Sequence, residues 1–591
     1  MADTSFRTSV DLLRLMRPAL DAPAASPALY DSTPPGGRGA SVRSWFNSAP
    51  VGAWREILGD VPVELVVDAT GPVRVLNGDE SGTVVLAEHD GPGPLTLAVD
   101  LAALSHRWCW VELPGASGVD DLRGYRWSVA SGRAASAVVV IPTFGREDAC
   151  REQVERILAG TTAAEVASIV VVDQARTFAD SLPEGLDWDR VTLVEQDNLG
   201  GSGGYARGLW HARDHDGPVV FLDDDAAVHS ETLRRMIVLS SLAREPRLIG
   251  TALFAPEQPD APVATAEVVD RRRFQWGAAR PAEAARAAAG GTDAPEWAWD
   301  RGTAADYVGW WCAALPPRAA RTIGYPAPYF LKWDDAEYGL RAHSRGVLPT
   351  VVPGISAVHP AWRSDGAAHW SMAPLHRNRV ATALAHGAGR GILLDSLVHQ
   401  VKHALSLQYD VAELWELGIT DALGGPGWLL GDPSTIRARA EGLLAKRAEG
   451  LLAKRAAASE RLGAVEPATT GHTARAAAPL PLPRAVLSAV LGLLRPLNPA
   501  APTVRVDAFS WRATLGLDAA LVGDPSTGTA VLLRRDPRRA RALLLRSLSS
   551  HARLAVSWSR LAARYRRALP EASTEERWAA RFAAAAPRER S

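Results

Sequence analysis

The sequence predicts an α/β protein: a doubly wound parallel sheet, preceded by a β-sandwich and followed by a mainly helical region. Three observations carry this. Residues 1–135 hold short apolar runs parted by Gly, Pro and Asp turns, the spacing of a sandwich. Residues 136–385 alternate fully apolar strands with helices, which gives parallel strands covered on both faces. Residues 386–591 become rich in Ala, Leu and Arg, with apolar positions at helical spacing. A chain of 591 residues is too long for one core, and roughly three to four domains is the prior.

Bulk properties exclude several classes. A net charge of -1 rules out whole-chain electrostatic binding of nucleic acid. Cys109, Cys150 and Cys312 are too dispersed for a zinc pattern or a disulfide framework, which fits a reducing cytosol. The opening "MADTSFRTSVDLLRLMRPAL" has no signal-peptide core. No run approaches the ~20 apolar residues of a membrane span. The 20 Trp residues either fill cores or offer flat faces to sugars and interfaces.

In chain order, "VELVVDA", "VRVLN", "GTVVLAEH", "LTLAVDL" and "WCWVELP" are the strands of the first region. Next come "AVVVIPTF" and "SIVVVDQ", with a helix over Asp148–Leu158 between them. "VTLVEQDN", the turn "LGGSGG", helical "YARGLWHARDH" and "VVFLDDD" follow. Ligands bind such sheets at the carboxyl ends of the strands. Thr143, Asp173, Gln174, Asn198 and Asp223 to Asp225 all lie there, so they converge on one crevice. Farther on, "EGLLAKRA" occurs twice in tandem, Glu441–Ala448 and Glu449–Ala456, and is given no function. Ala474–Pro502 reads as an Ala/Pro-rich linker. Arg534–Leu569 reads as a basic amphipathic helix. It is either packed on the domain with a solvated face or laid on an anionic membrane surface.

The chemistry is carried by carboxylates. In an extended segment, residues two apart point the same way. Asp223 and Asp225 can therefore face one cation while Asp224 turns elsewhere, and hard oxygen ligands suit Mg²⁺ or Mn²⁺. A solvated acidic loop is the plainer reading. "GGSGG" could approach a phosphate through backbone N–H groups at a helix start, or be only a tight turn. In "YFLKWDDAEYGLR", Lys332, Trp333, Asp334 and Asp335 sit at a predicted helix N-terminus. There the Asp pair either caps the helix or supplies a general base. His359 of "VHPAW" would complete an Asp–Asp–His set. Trp310 and Trp311 of "YVGWWCA" are either a sugar-stacking wall or core.

"IPTFGR", "VVDQ", "QDNLGGSGGYARG", "FLDDD", "AEVVDR", "GWW", "KWDDAEYGLRA" and "HPAW", in this order, resemble the inverting nucleotide-sugar glycosyltransferases of the GT-A fold. The nearest resemblance is to the actinobacterial bifunctional galactofuranosyltransferases that polymerise cell-wall galactan. "WFNSAPVGAWRE" and "VKHALSLQYD" extend it to about residues 40–430. The resemblance implies UDP-galactofuranose as donor, Mn²⁺ or Mg²⁺ as cofactor and a polyprenyl-diphosphate-linked galactan as acceptor. It implies a peripheral place on the cytoplasmic face of the plasma membrane. The Trp-rich β region would guide a glycan or mediate assembly, a homo-oligomer included.

Position by position, the resemblance assigns Pro142, Thr143, Phe144, Arg146, Gln174 and Asn198 to the uridine diphosphate. Asp223 and Asp225 would hold the metal with His359, and Asp224 would bind the donor sugar. Asp335 would be the base. Glu267, Trp310, Trp311, Lys332, Trp333 and Asp334 would shape the sugar pocket, with His376 as an acceptor contact. His376 departs from the family pattern: it directly precedes Arg377-Asn378, where the family's His stands one place earlier, at Leu375. A carboxylate at its ordinary pKa of about 4 is ionised at neutral pH, so Asp335 is expected ready to accept a proton. The same fold with another donor, such as dTDP-rhamnose, and a catalytically idle carbohydrate-binding protein are the rival readings.

Overall fold

The computed structural model describes residues 9–17, 39–130, 135–178, 187–259, 262–279, 304–360, 369–387, 389–446, 481–496, 503–506, 511–524 and 529–585. The N-terminal strands are β1 (Ser9–Arg14), β2 (Ala40–Ser41), β3 (Pro62–Ala69), β4 (Val73–Asp79), β5 (Gly82–His89), β6 (Gly93–Asp100), β7 (Trp108–Leu113) and β8 (Leu122–Ala130). They form two four-stranded sheets, ordered β1-β8-β3-β6 and β2-β7-β4-β5. Strand β3 alternates strictly between the faces, burying Val63, Leu65 and Val67. Helix α1 (Val51–Leu58) closes one end, and its Trp54 meets Trp127 edge-on at 5.9 Å.

The largest sheet has seven strands. These are β9 (Ala137–Thr143), β10 (Val166–Asp173), β11 (Val191–Glu195), β12 (Val219–Leu222), β13 (Arg247–Phe254), β16 (Cys312–Leu315) and β17 (Leu348–Val358). A short hairpin, β14 (Glu267–Val269) with β15 (Trp276–Ala278), stands outside it. The order is β11-β10-β9-β12-β16-β13-β17. Every residue of β9 is buried, as expected for a central strand with helices on both faces. Helices α2 (Glu147–Gly160), α3 (Gly200–His211) and α4 (Ser230–Leu242) supply the cover.

The sheet departs from the expected all-parallel arrangement. Strand β16 runs antiparallel between β12 and β13. Its entry end therefore lies where its neighbours finish. The residues just before it, Trp310 and Trp311, are thereby delivered to the carboxyl edge of the sheet.

The expected division at 135/136 is not a break in packing. One core cluster contains Leu65, Trp127 and Val111 of the sandwich together with Val139, Ile141 and Ile169 of the seven-stranded sheet. A buried polar clamp reinforces it. Glu231 at the start of α4 accepts from Arg14 N at 2.7 Å, Arg234 Nε at 2.7 Å and Arg235 Nε at 2.9 Å. Arg235 in turn donates to the carbonyls of Phe46 and Gly354, at 2.6 and 2.9 Å.

C-terminally, α5 (Asp334–Ser344), α6 (Met372–Ala385), α7 (Gly391–Leu405) and α8 (Tyr409–Gly424) are followed by helical residues 435–446. The second copy of the octad lies outside the described residues. The segment expected as a linker contains α9 (Leu482–Gly492). Its prolines were misleading because Pro at the first helical turn blocks no hydrogen bond. A small sheet of β18 (Val504–Val506), β19 (Ala519–Asp524) and β20 (Thr529–Arg534) also stands in the region read as helical. The basic stretch forms the long helix α10 (Pro537–Ala572), which buries Leu554, Trp558, Leu561 and Tyr565 against the helical core. The short helix α11 (Glu575–Ala584) ends the described chain.

Burial would push Glu231 up, but Arg235 and Arg234 outweigh it and hold it at about 2. Its stabilising effect is therefore complete above the ordinary carboxylate range and fades as pH falls toward 2. Glu231→Ala leaves two buried guanidinium groups uncompensated. A loss of about 3–5 kcal/mol is expected at neutral pH, shrinking as pH falls, read from denaturant unfolding of both proteins across pH.

Candidate active site

Three strand ends meet in the crevice. The chain runs β9, β10, β11 outward and returns at β12 on the other side of β9, so the switch point lies between β9 and β12. Thr143 ends β9 and donates through Oγ1 to Asp224 at 2.8 Å, bridging it. Asp223 follows β12, and its N–H donates to the carbonyl of Trp311 at 3.2 Å, just before β16. His359 follows β17. It arrives there because Ala227 and Val358 exchange backbone hydrogen bonds at 2.8 and 2.9 Å.

Asp223, Asp225 and His359 each present one ligand atom, and these atoms lie within 4.8 Å of one another. The pairing expected from the sequence is found, but a turn after β12 makes it and not an extended segment: Asp224 turns away to Thr143 and to Arg146, at 3.6 Å. His359 Nδ1 lies 2.6 Å from the carbonyl of Pro360 and Nε2 lies 3.0 Å from Asp225. A proton on Nδ1 would leave Nε2 as the ligating nitrogen. Two carboxylates and an imidazole fit a divalent cation of the Mn²⁺ or Mg²⁺ kind.

The electrostatics agree with that fit. Burial pushes Asp223 up to about 6, against the hydrogen bond from Tyr205, and the charge of Asp225 adds to the rise. Burial likewise drives Asp224 to about 7. Asp225 opposes its own burial through His359 and Arg146 and stays below the usual range. Arg146 is hydrogen-bonded to Asp225.

Beside the triplet lies a cavity of about 390 Å³. Asp223, Glu267, Trp310, Trp311, Lys332, Trp333, Asp334 and Asp335 all line it. The two acidic clusters, more than a hundred residues apart in sequence, therefore share one pocket. Both Asp334 and Asp335 begin α5, as expected. Asp334 accepts from Ser202 Oγ at 3.0 Å, which ties α5 to α3. Asp335 departs from expectation in its acidity. Burial, then the charges of Asp334 and Glu267, raise it well above the ordinary carboxylate value. Glu267 is itself raised by burial to about 7.

The loop that presents these groups is unusual. Phe330, Lys332 and Trp333 have φ of 71°, 70° and 68°, a left-handed region that side chains disfavour. Asn378 holds it: its Nδ2 donates to the carbonyls of Tyr329, Leu331 and Lys332, at 3.1, 3.0 and 2.9 Å. Gly200 lets the loop close down, since a Cβ there would lie 2.0 Å from the Phe330 carbonyl. "GGSGG" is thus explained by close packing of α3, with Gly204 against Pro142 and Gly208 against Val140.

Other expected residues spread around this centre. Gln174 is buried and accepts from Leu199 N at 2.9 Å. Asn198 and the exposed Phe144 line a separate cavity with Arg437 and Arg581 of the helical region. His376 is not in the acidic pocket. It is fully buried, stacked on Trp415 at 4.0 Å, and lines a neighbouring cavity. Tyr205, Trp276, Tyr307 and Asn378 escaped the sequence reading. Tyr205 donates to Asp223 at 2.5 Å and to the Trp310 carbonyl at 2.9 Å. Its signal was its place directly after the Gly-rich helix start.

Comparison with known proteins follows the same lines. A family model described as "Glycosyltransferase like family 2" matches residues 135–369, and one described as "Galactofuranosyltransferase-2, domain 3" matches residues 392–584. The curated protein "Galactofuranosyltransferase GlfT2" of Mycolicibacterium smegmatis is 29% identical over 574 residues, covering 91% of this chain and 88% of that one. Its counterpart of the same name in Mycobacterium tuberculosis is 28% identical over 578 residues, covering 91% and 89%. Among solved structures, GalNAc-T7 with UDP, GalNAc and Mn²⁺ is 14% identical, covering 43% of this chain and 48% of that one, with a TM-score of 0.33, too distant to argue from.

Asn378→Leu would take this donor from the Leu331 and Lys332 carbonyls of the left-handed loop, while Arg377 still donates to the Tyr329 carbonyl at 3.1 Å. A loss of about 1–3 kcal/mol is expected, measured by urea unfolding, together with faster proteolysis within 329–335. Unchanged stability would mean the loop holds itself.

Proposed function

We propose that this glycosyltransferase, whose catalytic domain has the GT-A type of α/β fold, transfers galactofuranose from UDP-galactofuranose to a growing polyprenyl-diphosphate-linked galactan. The reaction is an inverting single displacement that depends on a divalent metal. The observation that carries this reading is the shared pocket: Asp223 of the acidic triplet and Asp335 of the helix start line one cavity walled by Trp310, Trp311 and Trp333.

Asp223, Asp225 and His359 would hold Mn²⁺ or Mg²⁺, which when bound offsets charge on the diphosphate. Arg146, next to the triplet, would take a share of the charge that builds on the leaving group. Pro142, Thr143, Phe144, Gln174 and Asn198 would seat the nucleotide along the edge of β9 to β11, and Asp224 the donor sugar. Asp335 takes the proton of the acceptor hydroxyl as that oxygen attacks the anomeric carbon, and the C–O bond to the diphosphate breaks. Its raised proton affinity makes it a stronger base than an ordinary carboxylate, at the expense of being protonated at higher pH. Glu267, Lys332 and Asp334 would position the sugars.

The enzyme would work at the cytoplasmic face of the plasma membrane. No helix among the described residues is long and apolar enough to cross a membrane. One face of α10 is spent on packing, while Leu545, Leu548 and Val556 of the same basic helix are exposed. Leu487, Leu491 and Leu494 in and just after α9 are exposed as well, and both groups would meet lipid at the surface.

The direct test gives the purified protein UDP-galactofuranose and a short lipid-linked galactan, with and without EDTA, followed by linkage analysis. Elongation abolished by chelation and restored by Mn²⁺ or Mg²⁺ is expected; transfer only from dTDP-rhamnose would replace the donor. Asp335→Asn should keep UDP binding and lower turnover by about 10²–10⁴-fold. Because the Glu267 charge raises Asp335 after burial and Asp334, Glu267→Gln should lower the proton affinity of Asp335. The acidic limb of the kcat/KM profile should then move to lower pH; a limb that stays in place would remove Asp335 as the titrating base.

A further inference from the structure

Helix α3 lies close on β9: a Cβ at Gly204 would stand 2.4 Å from Pro142, and one at Gly208 2.0 Å from Val140. That approach carries Tyr205 into the core, where it is 2% exposed. Its ring stacks on Phe221 of β12 at 4.5 Å and meets Trp310 edge-on at 5.1 Å. A phenylalanine would make both contacts as well. The hydroxyl therefore needs its own account, since a buried polar group is costly unless it is bonded.

Tyr205 Oη lies 2.5 Å from Asp223 Oδ1 and 2.9 Å from the Trp310 carbonyl. Both neighbours are acceptors and a phenol carries a single proton, so the two compete for it. Asp223 is one of the three groups whose ligand atoms gather within 4.8 Å. Trp310 belongs to the wall of the acidic pocket. The next residue is tied to the same aspartate, whose N–H donates to the Trp311 carbonyl at 3.2 Å. On its other sides the Trp310 ring meets Phe221 and Tyr338, at 5.3 and 5.7 Å. The aromatic wall is thus registered to the acidic triplet through one backbone bond and one hydroxyl.

We propose that Tyr205 is a positioning residue that couples the divalent-cation ligands to the aromatic wall of the sugar pocket. The proposal rests on the metal-dependent reading above. A free carboxylate carries its full charge and draws the Tyr205 proton strongly. When Asp223 shares its charge with a cation, its pull weakens and the proton is divided more evenly with the Trp310 carbonyl. In return, the hydroxyl holds Asp223 in the orientation that faces Asp225 and His359, as outer partners of metal ligands do. Coupling of this kind is reciprocal: whatever steadies Trp310 from the pocket side favours cation binding at the triplet.

The test titrates Mn²⁺ alone into the full chain by calorimetry, with Tyr205→Phe beside the wild type. The variant keeps both ring contacts and loses only the hydroxyl, so Mn²⁺ should bind about 10–100-fold more weakly. Equal affinity would overturn the proposal. Phe221→Leu takes away the ring under Tyr205 and leaves the hydroxyl in place. It should lower the melting temperature with little change in Mn²⁺ affinity; a loss as large as that in Tyr205→Phe would make packing the cause and sink the role of the hydroxyl. Should Tyr205→Phe fail to fold by circular dichroism, 3-fluorotyrosine at position 205 carries the test. Its ¹⁹F resonance should move on addition of Mg²⁺, and an unmoved resonance overturns the coupling. Wild-type protein that binds neither cation would strike the metal reading together with this proposal, whereas wild-type binding matched by Tyr205→Phe strikes the role of Tyr205 alone.

Discussion

Six carboxylates crowd the crevice and the pocket beside it: Asp223, Asp224, Asp225, Glu267, Asp334 and Asp335, four of them raised by burial to about 6 or higher or otherwise well above their ordinary range. Their burial, with the mutual repulsion that it adds for most of them, is the constraint around which the structure is arranged. Five have a side-chain counterweight. Tyr205 serves Asp223, Thr143 serves Asp224, Arg146 and His359 serve Asp225, Ser202 serves Asp334 and Tyr307 serves Glu267. Asp335 is the exception, with its own helix as the main relief. A group left with so little compensation holds a proton tightly, as the base proposed above would have to.

The scaffold brings these groups together by topology. The switch point places β9 and β12 side by side, and the antiparallel β16 returns its leading residues to the same edge. The left-handed turn before α5 then swings Asp334 and Asp335 toward that edge. Such a turn is unfavourable alone, and it survives because Asn378 and the bare backbone of Gly200 fix it from two sides. The pocket is therefore pre-shaped by parts that never touch its contents.

Much of this was legible in the sequence, for physical reasons. Runs such as "AVVVIPT" can be satisfied only between two layers, so the central strands and the polar residues at their ends could be placed. The spacing of the acidic triplet was enough to pair Asp223 with Asp225 and to turn Asp224 away, although a turn after β12 does this and not an extended strand. What could not be read depends on long-range packing. The reversal of β16 leaves no local mark, because a short buried strand looks alike in either direction. The acidity of Asp335 comes from neighbours brought by other elements. His376 sits on Trp415 instead of in the acidic pocket because α6 and α8 pack face to face there. Pro481 and Pro483 suggested a linker and in fact precede and begin a helix.

The core that runs without interruption from the front sandwich into the seven-stranded sheet limits how this architecture can be rearranged. Grafting a foreign front onto the catalytic half would have to match the steric relief of Trp54, Trp108 and Trp127 and the carbonyls that Arg235 reaches. Shuffling between cousins should thus keep the first 130 residues and α4 from one parent, with variety gained at the far, helical end of the chain.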